Sequence, residues 1–360
     1  MPWIFLIPTI PYFITIIVIS IILIRTKGFQ PSFNTGTSVS VIVACRNEEH
    51  SLPAILTDLF AQIYPPEFFQ IIIVDDNSTD NTQKLLSLYK ERPNLRVLTN
   101  SGSGKKSAIR TGIEASESEL IITTDADCRM GKNWISSIIS YYKETNSCMI
   151  IGPVIIEGEG GFFTRFQELE FLSLQGITAG TAAMKNPVMC NGANLAFKRD
   201  YYLRHYRNLH EEIASGDDMF LLQSVKRENA GEIRFLDAED AVVSTSPSLS
   251  AGEFLNQRSR WLSKAGFYRD WFTIYLGIIT FVTILDLIFL LAAGIFSGSF
   301  FIILGIALLI KSLPDIIILY ESAKRRGRTV LLKWFLPAQI VYPFYVMGVV
   351  VMTLFRKDRW

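Results

Sequence analysis

Charge is scarce in this sequence. Charged residues make up 19% of the 360 positions, against about a quarter in a soluble domain. Histidine occurs three times and cysteine four times. Cys45, Cys128, Cys148 and Cys190 stand alone, with no Cys-x-x-Cys pair and no histidine at zinc spacing. That excludes a disulfide framework and a zinc cluster, and the thiols read as reduced, some of them core fillers. Apolar residues take the place of charge, at 49% hydrophobic and 12% aromatic. Such a composition excludes a disordered chain, a collagen and a coiled coil, and it argues against a wholly soluble protein. A formal net charge of +1 supplies no field for nucleic acid, which is not expected as a partner.

The charge that exists is unevenly spread. Residues 1–27 carry only Arg25 and Lys27, residues 271–360 are net basic, and the stretch between is net acidic. Pro2 to Ile24 has no charged residue, enough to cross roughly 30 Å of hydrocarbon. No basic residue precedes that run, and two follow it, unlike a signal peptide. The positive-inside tendency then puts residue 28 onward in the cytoplasm. From Trp271 to Ile310 the only charge is Asp286. The spacing predicts two helices, near 272–294 and 299–319, with a turn at Gly294–Ser299. Lys311 and Asp315 are four apart and can pair on one helical face. Asp286 is either a polar contact between helices or a functional group. A basic loop, Lys324-Arg325-Arg326-Gly327-Arg328 and Lys333, precedes a last apolar run, Trp334 to Phe355, in which Pro337 and Pro343 can kink the helix. If that run spans, Arg356-Lys357-Asp358-Arg359 lies outside. The expected domains are a membrane helix over 1–27, a cytoplasmic body over 28–270 and a membrane region over 271–360.

The body alternates strand and helix signals. Val39–Ala44, Ile71–Val74, Arg96–Leu98, Leu120–Thr124 and Met149–Val154 are short, largely β-branched runs. Between them, Leu52–Gln62, Asp80–Tyr89 and Lys105–Ala115 have helical spacing. This predicts an α/β fold with a mainly parallel sheet, whose ligands bind beyond the carboxyl ends of the strands. Those ends are acidic: Arg46-Asn47-Glu48-Glu49, Asp75-Asp76-Asn77-Ser78-Thr79-Asp80 and Asp125-Ala126-Asp127. Carboxylates repel a bare phosphate, but a divalent cation can bridge them to a diphosphate. An isolated Asp-x-Asp can equally cap a helix. Gly102-Ser103-Gly104-Lys105-Lys106-Ser107 lacks the earlier glycine of a Walker A loop, yet a glycine turn with lysines opening a helix can hold an anion. Ser215-Gly216-Asp217-Asp218 precedes an apolar helix and reads either as a cap or as a general base at a helix start. On a helix, Gln257, Arg260 and Trp261 share a face, as an interfacial belt or as an aromatic platform beside an arginine. Phe162, Phe166, Leu169 and Leu172 form one face of a helix before Gly176, which either packs on the sheet or meets the membrane interface.

Taken in order, these elements, with Asn191-Gly192-Ala193-Asn194-Leu195-Ala196-Phe197 and Gln257-x-x-Arg260-Trp261, resemble membrane-bound family 2 glycosyltransferases over roughly 38–270. The resemblance implies a GT-A fold with one N-terminal and two to three C-terminal membrane helices. It also implies an integral protein of the cell's plasma or inner membrane, with its catalytic domain in the cytoplasm. The implied reaction is an inverting, metal-dependent transfer from a nucleotide-sugar. By the same resemblance, Asp76 contacts the uracil of a UDP-sugar with Asp75 nearby, Glu48 belongs to the nucleotide-sugar-binding set, Lys105 faces the nucleotide-diphosphate, and Asp125 touches nucleotide, sugar or metal. Asp127 holds Mg²⁺ or Mn²⁺, and Asp218 is the general base, beside Asp217. Gln257 and Arg260 serve the donor, and Trp261 lines the acceptor side. The family pair is often Glu-Asp, so Asp217 departs from the pattern. The acceptor class implied is a membrane lipid or lipid-linked glycan. Two other readings stay open: a processive polysaccharide synthase, and a non-catalytic nucleotide-sugar-binding partner within an envelope assembly.

Overall fold

The computed structural model describes residues 2–32, 35–209, 213 and 216–355. Ser215 and the basic tail Arg356-Lys357-Asp358-Arg359 lie outside those residues. An apolar helix, Thr9–Arg25 (α1), comes first. Strand and helix then alternate through Val39–Cys45 (β1), Leu52–Phe60 (α2), Phe69–Asp75 (β2), Thr82–Ser87 (α3), Leu95–Thr99 (β3), Lys105–Glu114 (α4) and Leu120–Asp125 (β4). Arg129–Met130 (β5) and Trp134–Thr145 (α5) follow. The run expected as one strand at 149–154 is divided at Gly152-Pro153 into Met149–Ile151 (β6) and Val154–Ile156 (β7). Proline has no N–H to give a central ladder, which is why the strand breaks there.

A long helix, Phe162–Ala183 (α6), precedes Leu195–Lys198 (β8), Arg199–His205 (α7), Asp217–Asn229 (α8), Ile233–Phe235 (β9) and Val243–Thr245 (β10). The last four helices are Ala251–Leu262 (α9), Trp271–Phe296 (α10), Ser299–Arg325 (α11) and Phe335–Phe355 (α12). The chain divides into two compact units, with one division at Thr26–Lys27, one residue from the expected boundary. One comprises Lys27–Glu157 and Lys185–Ser246; the other comprises Met1–Thr26, Gly158–Met184 and Pro247–Trp360. Thus α6 and α9, expected in the body, group with the apolar helices.

In the sheet unit the seven strands lie in the order β3-β2-β1-β4-β8-β6-β9. Only β8 runs against the others. Val41, Ile42, Val43, Ile71, Ile72, Ile73 and Val74 are all fully buried. Strands covered on both faces need continuous apolar runs rather than alternation, and each such side chain contributes about 1.5–3 kcal/mol. Gly112 lets α4 lie close on β1 and β2, because a Cβ there would come within 2.7 Å of Ile42. A second small sheet, β5-β10-β7, joins the segment after Asp127 to Thr245. Asn194 links the ends of several elements from a fully buried position. Its Oδ1 accepts from Trp134 Nε1 at 3.0 Å, and its Nδ2 donates to the carbonyls of Pro153 and Ala241, each at 2.8 Å.

Four segments of the helical unit are long and apolar enough to cross a membrane: Trp3–Arg25, Trp271–Phe296, Ser299–Arg325 and Thr329–Phe355. The break between α10 and α11 falls at Ser297-Gly298, inside the expected turn. Helix α11 continues six residues beyond its expected end, to Lys324 and Arg325, with Pro314 inside it. Pro343 lies within α12 without ending it. The expected Lys311–Asp315 pair forms, at 2.7 Å. It is buried and joined by Gln339 from α12 and the Tyr12 hydroxyl from α1. A buried ion pair needs such additional hydrogen bonds to offset its lost hydration. Asp286 is buried, and its Oδ2 has no hydrogen-bond partner.

Helix α6 lies against α1 at Gly180 and Ile19, and against α11 at Gly176 and Ile318. Its two buried carboxylates are both paired. Glu168 meets Arg165 at 2.7 Å and Arg328 at 3.7 Å. Glu170 takes a fork of two bonds from Arg258 of α9, at 3.1 and 2.6 Å, and accepts from the Tyr345 hydroxyl of α12 at 2.9 Å. Both members of the Arg258–Glu170 pair are buried, so losing one strands the other's charge. Glu170→Leu should therefore cost about 3–5 kcal/mol, and Arg258→Met likewise. The double variant should cost less than the sum of the two, read as a double-mutant cycle on unfolding in detergent. Strict additivity would refute the coupling. Asn194→Ala takes its partner from Trp134 Nε1 and from the Ala241 carbonyl, at roughly 1–3 kcal/mol each, while the Pro153 carbonyl keeps the Val243 N–H; it should lower the melting temperature more than Asn191→Ala does.

Candidate active site

The register fixes which side chains meet. Cys45 at the end of β1 pairs with Asp75 of β2, and Ala44 pairs with Asp125 of β4. The loops after three parallel strands therefore share one edge of the sheet. Those after β1 and β2 are interlocked. Asn47 and Asn77 each adopt positive φ, +57° and +55°, which asparagine tolerates better than most residues. The Asn47 N–H donates to Ser78 Oγ and the Glu48 N–H to Thr82 Oγ1. Glu49 Oε2 accepts from the backbone and side chain of Asn81. Glu49 and Asp80 thus hold the loops in place.

Asp75 and Asp76 are both buried. Asp75 accepts from Gln83 Nε2 at 2.7 Å and from the Ser78 N–H. Asp76 accepts from Asn100 Nδ2 at 2.6 Å and from the Gly104 N–H at 3.0 Å, with the Arg46 guanidinium at 3.6 Å. Gly104 has φ +89°, a conformation that favours glycine. Asp76 thereby fixes the turn that opens α4. Asn100 was not singled out from the sequence, although it directly follows β3, where the strand-end rule would have pointed.

From the first turn of α4, Lys105 Nζ reaches Asp125 Oδ1. Its side chain keeps 41% of its surface exposed. Desolvation opposes its charge, but the carboxylates of Asp125, Asp217 and Asp218 outweigh that and hold the ammonium protonated. Lys105 is thus bonded to Asp125 and lies within electrostatic reach of the acidic pair of α8. Thr245 Oγ1, at the end of β10, donates to Asp127 Oδ2 at 3.2 Å. Surrounding protein and the charge of Asp125 push the Asp127 carboxyl up. Desolvation, together with Asp127, Asp125 and Asp80, does the same to Glu48.

Among the described residues no three His, Cys, Asp or Glu side chains converge as a metal cage. The edge does carry excess negative charge, with two carboxyls shifted toward their neutral form and only Asp125 bonded to a lysine. That donor set suits a hard cation which draws its remaining ligands from diphosphate oxygens and water.

Asp217 and Asp218 open α8. Desolvation and the charge of Asp218 raise the Asp217 carboxyl, while Lys105 and Lys106 oppose the rise. Asp218 Oδ2 accepts from the Gly192 N–H at 3.0 Å. Gly192 in turn accepts from Thr123 Oγ1 of β4 at 2.8 Å. The Asn191–Asn194 segment therefore orients the acid pair through its backbone, a role that residue type alone did not disclose.

Gln257, Arg260 and Trp261 belong to the helical unit, on α9. Ser250 Oγ caps that helix by accepting from the Glu253 N–H. The residue that organises the segment is Arg258, which the motif reading passed over. It donates to Gln257 Oε1 at 2.5 Å, and its guanidinium lies 4.1 Å from the centroid of the Trp261 ring. The Trp261 ring also meets Phe171 of α6, at 6.3 Å between centroids. Arg260 is exposed on the same helix.

Residues 40–205 match the family model described as Glycosyl transferase family 2. A beta-monoglucosyldiacylglycerol synthase of Nostoc sp. is 27% identical over 158 residues, which is 42% of this chain and 34% of that protein. An undecaprenyl-phosphate 4-deoxy-4-formamido-L-arabinose transferase of Serratia proteamaculans is 32% identical over 133 residues, 35% of this chain and 40% of that protein. The chain thus aligns with about a third to two-fifths of the length of these relatives. Among solved structures, a mannosyltransferase from Pyrobaculum calidifontis, in complex with GDP-Man and Mn²⁺, superposes with a TM-score of 0.60 at 16% identity. That match covers 99% of this chain and all of the other, and it shows a shared GT-A fold. Residues 40–205 of this chain therefore carry a match to glycosyl transferase family 2, and the chain has a mixed α/β fold built on a mainly parallel sheet.

Proposed function

We propose that the chain transfers a sugar from a nucleoside diphosphate sugar, with UDP as the nucleotide, to a hydroxyl of a membrane lipid or lipid-linked glycan. The transfer inverts the anomeric carbon and uses Mg²⁺ or Mn²⁺. One observation carries the reading: Lys105 bonds to Asp125 and feels the charges of Asp217 and Asp218, with Asp127 beside Asp125, in a chain with four membrane-length helices. Two relatives named for a glycosyldiacylglycerol and for undecaprenyl phosphate support a lipid as acceptor. Arg25, Lys27 and the basic run 324–328 support an orientation with the sheet unit on the cytoplasmic side.

In this reading the acceptor hydroxyl gives its proton to Asp218. Its oxygen forms the new bond to the anomeric carbon from the face opposite the diphosphate. The electron pair of the broken C–O bond leaves with the β-phosphate oxygen. Asp127 would hold the cation, which when bound supplies charge stabilisation of the leaving diphosphate. Lys105 adds a fixed positive charge beside Asp125, and Glu48 faces both acids of the Asp-x-Asp segment. Asp75 and Asp76, rigidly held at the end of β2, are assigned to the nucleobase.

Membranes containing the chain, supplied with Mn²⁺ or Mg²⁺ and radiolabelled UDP-sugars, should yield label in the solvent-extractable lipid fraction. Asp218→Asn should lower that label by about 10²–10⁴-fold, the usual worth of a general base. Label in long polymer would mean a processive synthase instead. UDP binding without turnover of any donor would favour a non-catalytic partner. The metal assignment is tested separately by melting the purified chain with UDP, with and without Mn²⁺. At a hundredfold excess over Kd, ligand binding should add about 2.7 kcal/mol. Asp127→Asn should abolish the Mn²⁺-dependent part, and an unchanged increment in that variant would overturn the assignment.

A further inference from the structure

Lys106 is a lysine at a buried position. It falls on the same face of α4 as Ile109 and Ile113, three and seven residues on, and all three are buried. Its ammonium donates to the carbonyl of Leu209 at 2.7 Å and to that of Ile213 at 2.8 Å. It also lies 5.2 Å from the centroid of the Phe220 ring. Leu209 and Ile213 belong to the stretch leading into α8. Phe220 is in the first turn of α8, two residues past Asp218, and its N–H donates to the Gly216 carbonyl at 2.9 Å. One side chain therefore contacts the chain before the acid pair and the ring just after it. The neighbouring Lys105 points instead to Asp125 of β4.

A buried ammonium is costly unless its donors are used, and buried carbonyls are costly unless paired. Each satisfies the other here. An apolar side chain of the same length would leave both carbonyls without this donor. The charge of Lys106 also reaches Asp217, where it opposes the rise of that carboxyl.

We propose that Lys106 is a positioning residue for the transfer. It fixes the start of α8, and with it Asp217 and Asp218, to the same helix end that presents Lys105 to the Asp-x-Asp strand. The proposal rests on Asp218 acting as the base. Consecutive lysines then divide the work: Lys105 faces the donor's charge, and Lys106 sets where the acid pair stands without touching substrate.

The test uses the full chain in detergent or nanodiscs, comparing Lys106→Met and Lys106→Arg with the wild type. Hydrogen exchange gives a readout independent of activity. Amides of Phe220, Leu221 and Leu222 should exchange at least tenfold faster in Lys106→Met and be restored toward wild type in Lys106→Arg, which keeps donors for both carbonyls. In turnover of the UDP-sugar that the wild type uses best, Lys106→Met should lower kcat at least tenfold while donor KM stays within about threefold. The melting increment from UDP with Mn²⁺ should persist. Unchanged exchange at 220–222 overturns the proposal whatever the activity assay gives. So does a rise in donor KM with kcat intact, which would make Lys106 a donor contact. A wild type that turns over no donor refutes the transferase reading instead, and the exchange result still decides whether Lys106 anchors α8.

Discussion

Parallel pairing of β1 with β2 and β4 is the constraint from which the site follows. A parallel sheet puts the carboxyl end of every strand on one edge, and the register sets Asp75 and Asp125 on either side of the end of β1. Three acidic loops must then share a small volume. Each loop needs bonds of its own to stay there, and the polar residues around the acids provide them. Asn47, Glu49 and Asp80 cross-link the first two loops. Asn100 and the Gly104 N–H hold Asp76. The short β5–β10 pairing brings Thr245 to Asp127. Most polar atoms near the edge serve this scaffolding, which leaves few to meet a ligand directly.

Crowding like charges has an electrostatic consequence. The carboxyls of Glu48, Asp127 and Asp217 are all shifted toward their neutral forms by desolvation and by neighbouring carboxylates: Asp127, Asp125 and Asp80 for Glu48, Asp125 for Asp127 and Asp218 for Asp217. Lys105 counters part of this, and it is bonded to one acid only. An edge in this condition attracts positive charge and repels a bare diphosphate, so cation and diphosphate binding should reinforce each other. The same tension explains why the acid pair of α8 needs support from beneath. The Gly192 N–H and the two lysines of α4 are the positive features placed to give it.

Much of this was legible in the residues. Short, largely β-branched runs at 39–44, 71–74 and 120–124 can hardly be anything but strands covered on both faces, and their polar ends pointed to the candidate site. Long runs with one charge or none, at 2–24, 271–310 and 334–355, pointed to the apolar helices. Other features escaped because their meaning lies in partners far along the chain. The apolar face of α6 reads the same whether it meets a sheet or other helices. Only the pairing of Glu170 with Arg258, 88 residues away, and the close approach of Gly180 to Ile19 resolve it. Arg258 was hidden inside a motif whose other positions drew attention. Asn194 looks like one more loop asparagine until its three buried partners are counted. Strand β8 is only four residues long and runs against its neighbours, so periodicity could not reveal it. One signal was available and went unused: a lysine three and seven residues before isoleucines on an amphipathic helix, where burial demands a partner.

That lysine shows how the two halves of the candidate chemistry are held to one scaffold. Helix α4 is pinned at its start by Asp76 through Gly104, and along its length by the contact of Gly112 with Ile42. Any side chain fixed to this helix therefore inherits the geometry of the sheet. Lys105 passes that geometry to Asp125, and Lys106 passes it to the entry of α8. Without Lys106, the stretch entering α8 would lose this tie to the sheet, and Asp218 would keep the Gly192 N–H. In the proposed reaction, tying that stretch to the helix that also carries Lys105 would lower the entropy lost when donor and acceptor are brought into line. Because the two lysines are adjacent in sequence, the start of α4 holds the contact with Asp125 and the contacts with the stretch before α8 at the same place.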